Sequence, residues 1–393
     1  MGRLGRRSVL FVVGASFVAA ACVGGPPPPP PPPEFATEVC GTAYGSASAY
    51  QHDFDLLTNG NTGWIHADGY VPALLSDGRT AWWMSDTGVG TVNPDHSANP
   101  EGSVHNSLVL QEPTCLRPTL GGQAHQWSDL TPAPSGRWYW PGATVIENDT
   151  LLAFAYIVGP GNGTPPFDFT IHGTAVARYH LPDLTLQGVT NLPVQHAPQP
   201  LYGGGQIPWG IRSVRVTDGT VYLYGTTKRS NIGSADVWVA RAPFAQVTTP
   251  SAWEYYTGLV APLDWSDQFS LAQPMTFTGT AQQDQDDIKA PLAQLSVTPY
   301  GTKYLAAASS DVLDTRIRAW IADNPEGPWQ YLGVVATEVV QQGQIAYDSR
   351  VAELTGAGWT AVYSVNGDPH NTEDVRLYRG QFATPNPGVL PAP

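Results

Sequence analysis

Charge is the first thing this sequence is short of. Asp, Glu, Lys and Arg together make up 13% of its 393 residues. Lysine occurs at three positions, Lys228, Lys289 and Lys303. The formal net charge is −14, with 19 basic against 33 acidic residues. A chain so poor in cations has little with which to neutralise phosphates, which excludes nucleic acid as a partner. Cysteine is also sparse: Cys22, Cys40 and Cys115. The nine histidines show neither His-Glu-x-x-His nor His-x-His spacing, so no metal site is indicated and no cofactor is expected. No Gly-x-Ser-x-Gly elbow occurs, although a Ser-His-Asp triad assembled from distant segments stays open. No helical periodicity is long enough for a bundle.

What the chain does have is glycine (41), proline (37) and aromatic residues (10%). That mixture predicts many short strands joined by tight turns.

The N-terminus reads as a targeting segment. Arg3, Arg6 and Arg7 precede an uncharged run from Val9 to Ala21 that is too short to span a bilayer. Arg6-Arg7-Ser8-Val9-Leu10 resembles a twin-arginine signal, and Ala19-Ala20-Ala21-Cys22 resembles a lipobox with Cys22 as the lipidation site. An ordinary cleavage site nearby is the alternative. Residues 1–22 are therefore expected to be a signal peptide, and the protein to be exported. Residues 23–37 read as a linker. Its eight prolines, Pro26 to Pro33, would form a polyproline II spacer of roughly 25 Å at about 3.1 Å per residue. Outside the cell, Cys40 and Cys115 are expected to pair as a disulfide, with two free thiols as the alternative.

Residues 38–382 carry one pattern five times. A polar turn with Gly or Asp opens a run of apolar and aromatic residues at Gly78, Asp149, Gly219, Gly301 and Gly358. A second strand-like run follows each: 106–110, 174–180, 237–242, 316–322 and 375–382. Another precedes each: 68–75, 140–146, 209–216, 292–298 and 348–354. A β-sandwich explains strands at regular spacing, but not five similar three-strand modules. The expectation is an all-β fold, a five-bladed β-propeller. A strand from around 38–56 would close the ring, and 383–393 would be a flexible tail.

Chemistry is expected where the first strands converge. The turn Leu75-Ser76-Asp77-Gly78-Arg79 allows two registers. With a three-residue loop and Gly78 left-handed, Leu75 pairs with Arg79 and Asp68 falls opposite Asp86, their Cβ atoms roughly 4.5–5.5 Å apart. A two-residue Asp77-Gly78 loop would put the two side chains on opposite faces. Facing carboxylates are what glycoside hydrolysis needs, one protonated and one ionised. Turn-capping aspartates are the plainer reading.

The stretches Trp64-Ile65-His66-Ala67-Asp68-Gly69, Ser76 through Thr87 and Val104-His105-Asn106-Ser107-Leu108-Val109 resemble the family known as domain of unknown function 4185, glycoside hydrolase family 183. Trp140-Pro141-Gly142, Trp209-Gly210 and Val239 through Pro243 fit it too. The resemblance implies a five-bladed propeller with endo-D-arabinanase activity on arabinogalactan and lipoarabinomannan. It also implies that Asp68 and Asp86 are the essential acids.

Further candidates are weighed against structural roles. His105 and Asn106 would hydrogen-bond sugar hydroxyls, or be a satisfied strand-end pair. Trp140, Trp209 and Tyr347 would stack on furanose rings, or pack between blades. Asp348, with Ser349 and Arg350, would supply a third polar group, or a structural salt bridge. Asp284-Gln285-Asp286-Asp287 reads as a solvated acidic loop rather than a calcium site. The expected partner is cell-wall arabinan, with membrane contact only through the lipid anchor, and a monomer is expected. The alternatives are a non-catalytic glycan- or protein-binding propeller and a hydrolase of L-arabinan or a fructan.

Overall fold

A computed structural model describes residues 35–162, 168–198, 205–228, 235–278, 295–309, 315–367 and 374–393. Cys22, the proline run and the acidic loop at Asp284 to Asp287 lie outside the described residues.

Each of the five modules becomes one sheet of three to five strands, antiparallel but for one pair in the fourth. The first orders Val71–Leu74, Thr80–Met84, Ser107–Gln111, Cys115–Thr119 and Val39–Cys40. The second orders Trp138–Glu147, Thr150–Pro160, Phe169–His180 and Thr185–Asn191. The third orders Ser213–Thr217, Thr220–Lys228, Ala235–Pro243, Glu254–Tyr256 and Trp265–Ser266. The fourth orders Ser296–Tyr300, Lys303–Ser309, Arg316–Ala322, Trp329–Thr337 and Phe277–Thr278, the last pair running parallel. The fifth has Ile345–Leu354, Gly358–Asn366 and Tyr378–Ala383. A smaller sheet of Trp64–Ala67, Thr87–Val92 and Ala98–Val104 grows from the first module.

The first strands of consecutive sheets lie against one another: Val71–Leu74 with Trp138–Glu147, then Ser213–Thr217, Ser296–Tyr300 and Ile345–Leu354. The fifth sheet returns to the first. Gly69 N–H donates to Ser364 Oγ (3.0 Å), and the Arg350 guanidinium donates to the Gly69 carbonyl (2.9 Å). This radial arrangement is the β-propeller, in which repetition around an axis leaves only short strand edges. Large apolar side chains fill the seams between sheets, and Trp64, Trp82, Trp83, Trp238, Trp320 and Trp329 are fully buried.

Three details differ from or sharpen the expectations. The segment around 38–56 does not supply a ring-closing strand: most of it lies in the helix Ala47–Asn59. Ser46 caps it by accepting the Ala49 N–H at 3.1 Å, and Tyr50, Phe54 and Leu57 form its buried stripe. Phe54 stacks on Phe382 at 5.3 Å, so the helix seals the junction of the first and last sheets with aromatic surface. Val39–Cys40 instead forms the outer edge of the first sheet, held there by the Cys40–Cys115 disulfide. Finally, the residues after Ala383 are not a free tail. Asn386 N–H donates to the Val335 carbonyl (2.6 Å), while Val389 and Leu390 pack against the core shared by the fourth and fifth sheets. Two apolar side chains near the terminus provide enough surface to dock it.

Candidate active site

The site is built on the hairpin that opens the first module. Gly78 has φ +86°, Leu75 N–H donates to Arg79 O (2.8 Å) and Gly78 N–H donates to Leu75 O (3.1 Å). That is the three-residue loop, and Leu74 pairs with Thr80 and Val71 with Trp83. The pairing continues past the strand ends, because Ser85 N–H donates to Asp68 O (2.8 Å) and Asp68 N–H donates to Asp86 O (3.2 Å). Asp68 therefore lies opposite Asp86. Next to it the chain turns sharply at Gly69 (φ +95°), where a Cβ would sit 2.9 Å from the Ser85 nitrogen. Only glycine fits, which explains the Asp-Gly pair.

Asp68 is 9% exposed. Its Oδ2 accepts the Tyr347 hydroxyl at 2.7 Å, while its Oδ1 is buried without a hydrogen-bond partner. Burial first, then the charges of Asp86 and Asp348, push its carboxyl well above the usual carboxylate range; the Tyr347 and Tyr378 hydroxyls pull the other way. Asp86 is more open, with 38% of its side chain exposed. Its Oδ1 accepts both His105 Nδ1–H and Trp140 Nε1–H at 2.8 Å, and its carbonyl accepts the Tyr378 hydroxyl at 3.2 Å.

His105 stacks on Trp138 with centroids 4.6 Å apart, and its backbone N–H donates to Asp129 Oδ1 (2.7 Å). Partial burial disfavours its cation, but the hydrogen bond and charge of Asp86, helped by Asp129, outweigh that and raise its pKa. Trp140 packs edge-on against Phe169 at 4.6 Å. Asp348 sits in a bulge of Ile345–Leu354 with φ +54°, a conformation that Asp tolerates better than most residues, and it pairs with Arg212. The Arg212 guanidinium also lies 5.4 Å over the Tyr156 ring. Burial lowers the Arg350 pKa to about 10, with Arg212 adding to the fall and Asp348 opposing it. His66, edge-on to Tyr378 at 4.5 Å, is lowered to about 4 by burial and stays neutral.

Of the residues singled out from the sequence, Asp68, Asp86, His105, Trp140, Tyr347 and Asp348 are brought together. Asn106 and Trp209 are not. Asn106 is 1% exposed and spends its amide on backbone: Nδ2 donates to Thr131 O and Tyr139 O, and Oδ1 accepts Thr131 N–H. Trp209 is enclosed by Trp253, Tyr255 and Phe269 and donates to Gln195 Oε1 at 2.7 Å. Sequence reasoning missed Tyr378, Arg212, Asp129 and Trp138. Tyr378 and Arg212 lie inside predicted strand runs, but their partners are remote in the chain. A grouping of Glu38 with Cys40 and Cys115 offers a metal no thiolate, because the two sulfurs are bonded to each other.

The fold recurs in solved structures. A candidate hydrolase from Bacteroides ovatus aligns over 84% of this chain and 88% of its own, with 19% identity and a TM-score of 0.59. A GH43_1 enzyme from Xanthomonas citri aligns over 81% of this chain and 87% of its own, at 14% identity and TM-score 0.46. An endo-arabinase from Bacteroides thetaiotaomicron aligns over 81% of this chain and 94% of its own, at 8% identity and TM-score 0.43. No curated protein matches the sequence. Residues 51–384 match the family described as a domain of unknown function (DUF5005), and the chain belongs to that family.

Proposed function

We propose that this protein is an exported endo-acting glycoside hydrolase that cleaves internal D-arabinofuranosyl linkages of cell-wall arabinan. One observation carries the reading: Asp68 is buried with its pKa pushed up, and directly across the hairpin lies the more open Asp86. Neighbouring carboxyls in unlike surroundings supply an acid and a base at one pH. Asp68 holds the proton and delivers it to the leaving-group oxygen as the glycosidic C–O bond breaks. Asp86, held by His105 and Trp140, is the partner that activates water or attacks the anomeric carbon. Tyr347 fixes the Asp68 carboxyl, and Trp140 offers a ring edge for a furanose.

The choice of D-arabinan rests on the likeness of the first-module residues to glycoside hydrolase family 183. Export and anchoring at Cys22 rest on the basic N-terminus, its short apolar run and the proline spacer. We also read the five principal sheets as five blades.

Purified mycobacterial arabinogalactan incubated with the protein is expected to release oligo-arabinosides of several lengths. Asp68→Asn and Asp86→Asn should each lower that release by about 10²–10⁴-fold with the fold intact. No release by the wild type from arabinogalactan, or activity confined to L-arabinan or levan, overturns the D-arabinan assignment. Full activity in both variants overturns the mechanism.

A further inference from the structure

A second cluster of aromatic and charged side chains lies away from the aspartates, where the third sheet meets the fourth. Strand register puts most of its members on one face. Tyr222 pairs with Arg241, Arg241 with Glu254, and Tyr256 with Trp265. Directly paired residues share a face, as do residues two apart on one strand. Tyr222, Arg241, Glu254, Tyr256 and Trp265 therefore line one side of the third sheet. The catalytic candidates sit at the ends of the first strands remote from the turns that follow them. Tyr222 comes just after the Asp218–Gly219 turn, towards the other end.

The fourth sheet supplies the remaining wall. Tyr224, on the same face as Tyr222, donates its hydroxyl to the Pro325 carbonyl at 2.9 Å and so ties the turn before Trp329 to the third sheet. That turn carries Glu326. Trp265 meets Tyr222 edge-on at 5.8 Å and Tyr256 at 5.9 Å. The Arg241 guanidinium lies 4.2 Å over the Trp265 ring, and its Nε donates to Glu254 Oε2 at 2.8 Å. Tyr222, Tyr256, Trp265, Arg241 and Asp264 are all half-buried rather than enclosed. Glu326 is half-buried too, yet its Oε2 is shut from solvent and has no hydrogen-bond partner. Burial raises its pKa; a hydrogen bond from its own backbone opposes the rise, Asp264 adds to it and Arg241 opposes it.

Packing explains the enclosed part of this seam, around Tyr224, Trp320 and Trp329, and one side of Tyr222, Tyr256 and Trp265, which lie against it. It does not explain a glutamate turned in among tyrosines with an acceptor oxygen unused, an arrangement that is costly unless a donor arrives. Half-open aromatic surfaces, two carboxylate acceptors and a guanidinium fork are the chemistry that takes hydroxyl-rich rings. The C–H faces of a sugar lie on the aromatics while its hydroxyls donate to the carboxylates. We propose that this half-buried face is an accessory glycan-binding site, which holds a stretch of the polysaccharide away from the point of cleavage. The inference rests on reading the protein as a glycan hydrolase.

Electrophoresis through gels containing purified arabinogalactan tests it with the full chain. The wild type should be retarded, and Glu326→Gln and Trp265→Ala should each weaken retention about fivefold to tenfold. Both should keep wild-type turnover of an arabino-oligosaccharide too short to reach beyond the aspartates, and lose turnover only on the polymer. Glu326→Gln is nearly isosteric, so its loss of retention is not a folding defect. Retention equal to wild type in both variants, or no retention of the wild type, overturns the accessory site. Product release is scored separately, so a protein that is retained through Glu326 but cleaves nothing refutes the hydrolase reading and leaves the binding site standing.

Discussion

The hydroxyl of Tyr347 donates to Oδ2 of Asp68 across the junction of the last and first sheets, joining residues 279 positions apart in the chain. This bond exists only when the ring of sheets is closed. The same closure puts Arg350 on the Gly69 carbonyl and Tyr378 on the Asp86 carbonyl. The candidate acid is thus held from both ends of the sequence at once.

Removing that hydroxyl should change both rate and pH dependence. The hydrogen bond favours ionised Asp68 and so holds its pKa below where burial alone would leave it. Tyr347→Phe therefore raises the Asp68 pKa further. A general acid works while protonated, so the alkaline limb of kcat/KM should move to higher pH. Hydrogen bonds to charged groups are worth about 1.5–3 kcal/mol, so loss of this one should lower kcat roughly 10- to 100-fold. An unmoved alkaline limb would show that Asp68 is not the group titrating there.

Asp68 should also cost stability. Its folded pKa lies above the unfolded value, so between the two the unfolded chain has already released its proton while the folded one retains it. Stability falls as pH rises through that window. Asp68→Asn keeps the shape and removes the ionisation. The variant should melt above the wild type at about pH 7.5, with the gain shrinking towards about pH 4. Thermal melts across that range decide it, and equal melting temperatures throughout would refute the raised pKa.

The parts of this arrangement that sequence could show are those governed by neighbours in the chain. Turn glycines followed by aromatic and β-branched runs mark the strands, because both preferences are local. The facing of Asp68 and Asp86 was legible as one of two registers, and the left-handed Gly78 selects it. What lay beyond reach depends on packing between modules. Trp209 and Trp140 look alike in sequence, each opening a first strand. Trp209 is buried because Trp253, Tyr255 and Phe269 enclose it, whereas Trp140 is left beside Asp86. Tyr378 and Arg212 acquire roles only from partners delivered by other sheets. The helix at Ala47–Asn59 did leave a signal, a Ser46 cap ahead of Tyr50, Phe54 and Leu57, but its aromatic content reads equally well as strand.

His105 adds stability where ionisable Asp68 costs it, although for both groups stability falls as pH rises. Its pKa is raised in the folded protein, since the bond to Asp86 favours the cation. The extra stability is complete below the unfolded value of about 6.5 and fades as pH rises through the folded value. The side chain is 41% exposed, so salt screens much of it. His105→Gln should lower the melting temperature more below about pH 6 than near pH 9, and the difference should narrow at high ionic strength. A pH-independent difference would mean that only stacking on Trp138 had been lost.

The Cys40–Cys115 disulfide pins the outermost strand of the first sheet across a separation of 75 residues. Closing a loop of that size is worth about 4 kcal/mol on chain-entropy grounds. Changing both cysteines to serine should lower the denaturation midpoint accordingly in guanidinium titrations. Activity well below the transition should stay near wild type, because the bond lies at the outer edge of the sheet and the aspartates at its inner hairpin. Loss of activity in a protein still folded would show that the outer strand sets the geometry of the hairpin.

Asn106 links stability to the site through a relay of contacts. Its amide holds Thr131 by two hydrogen bonds to backbone and donates a third to the Tyr139 carbonyl, and the Thr131 segment carries Asp129, whose Oδ1 accepts the His105 N–H. His105 in turn holds Asp86. Asn106→Ala leaves buried backbone groups without partners and should cost about 2–4 kcal/mol in chemical denaturation. The shifted His105 should also lower kcat several-fold at a temperature where the variant is fully folded, while KM changes little. Combining it with His105→Gln tests the relay, because effects acting through one chain of contacts fail to add. If Asn106→Ala and His105→Gln lower kcat additively, the two act separately and Asn106 serves stability alone.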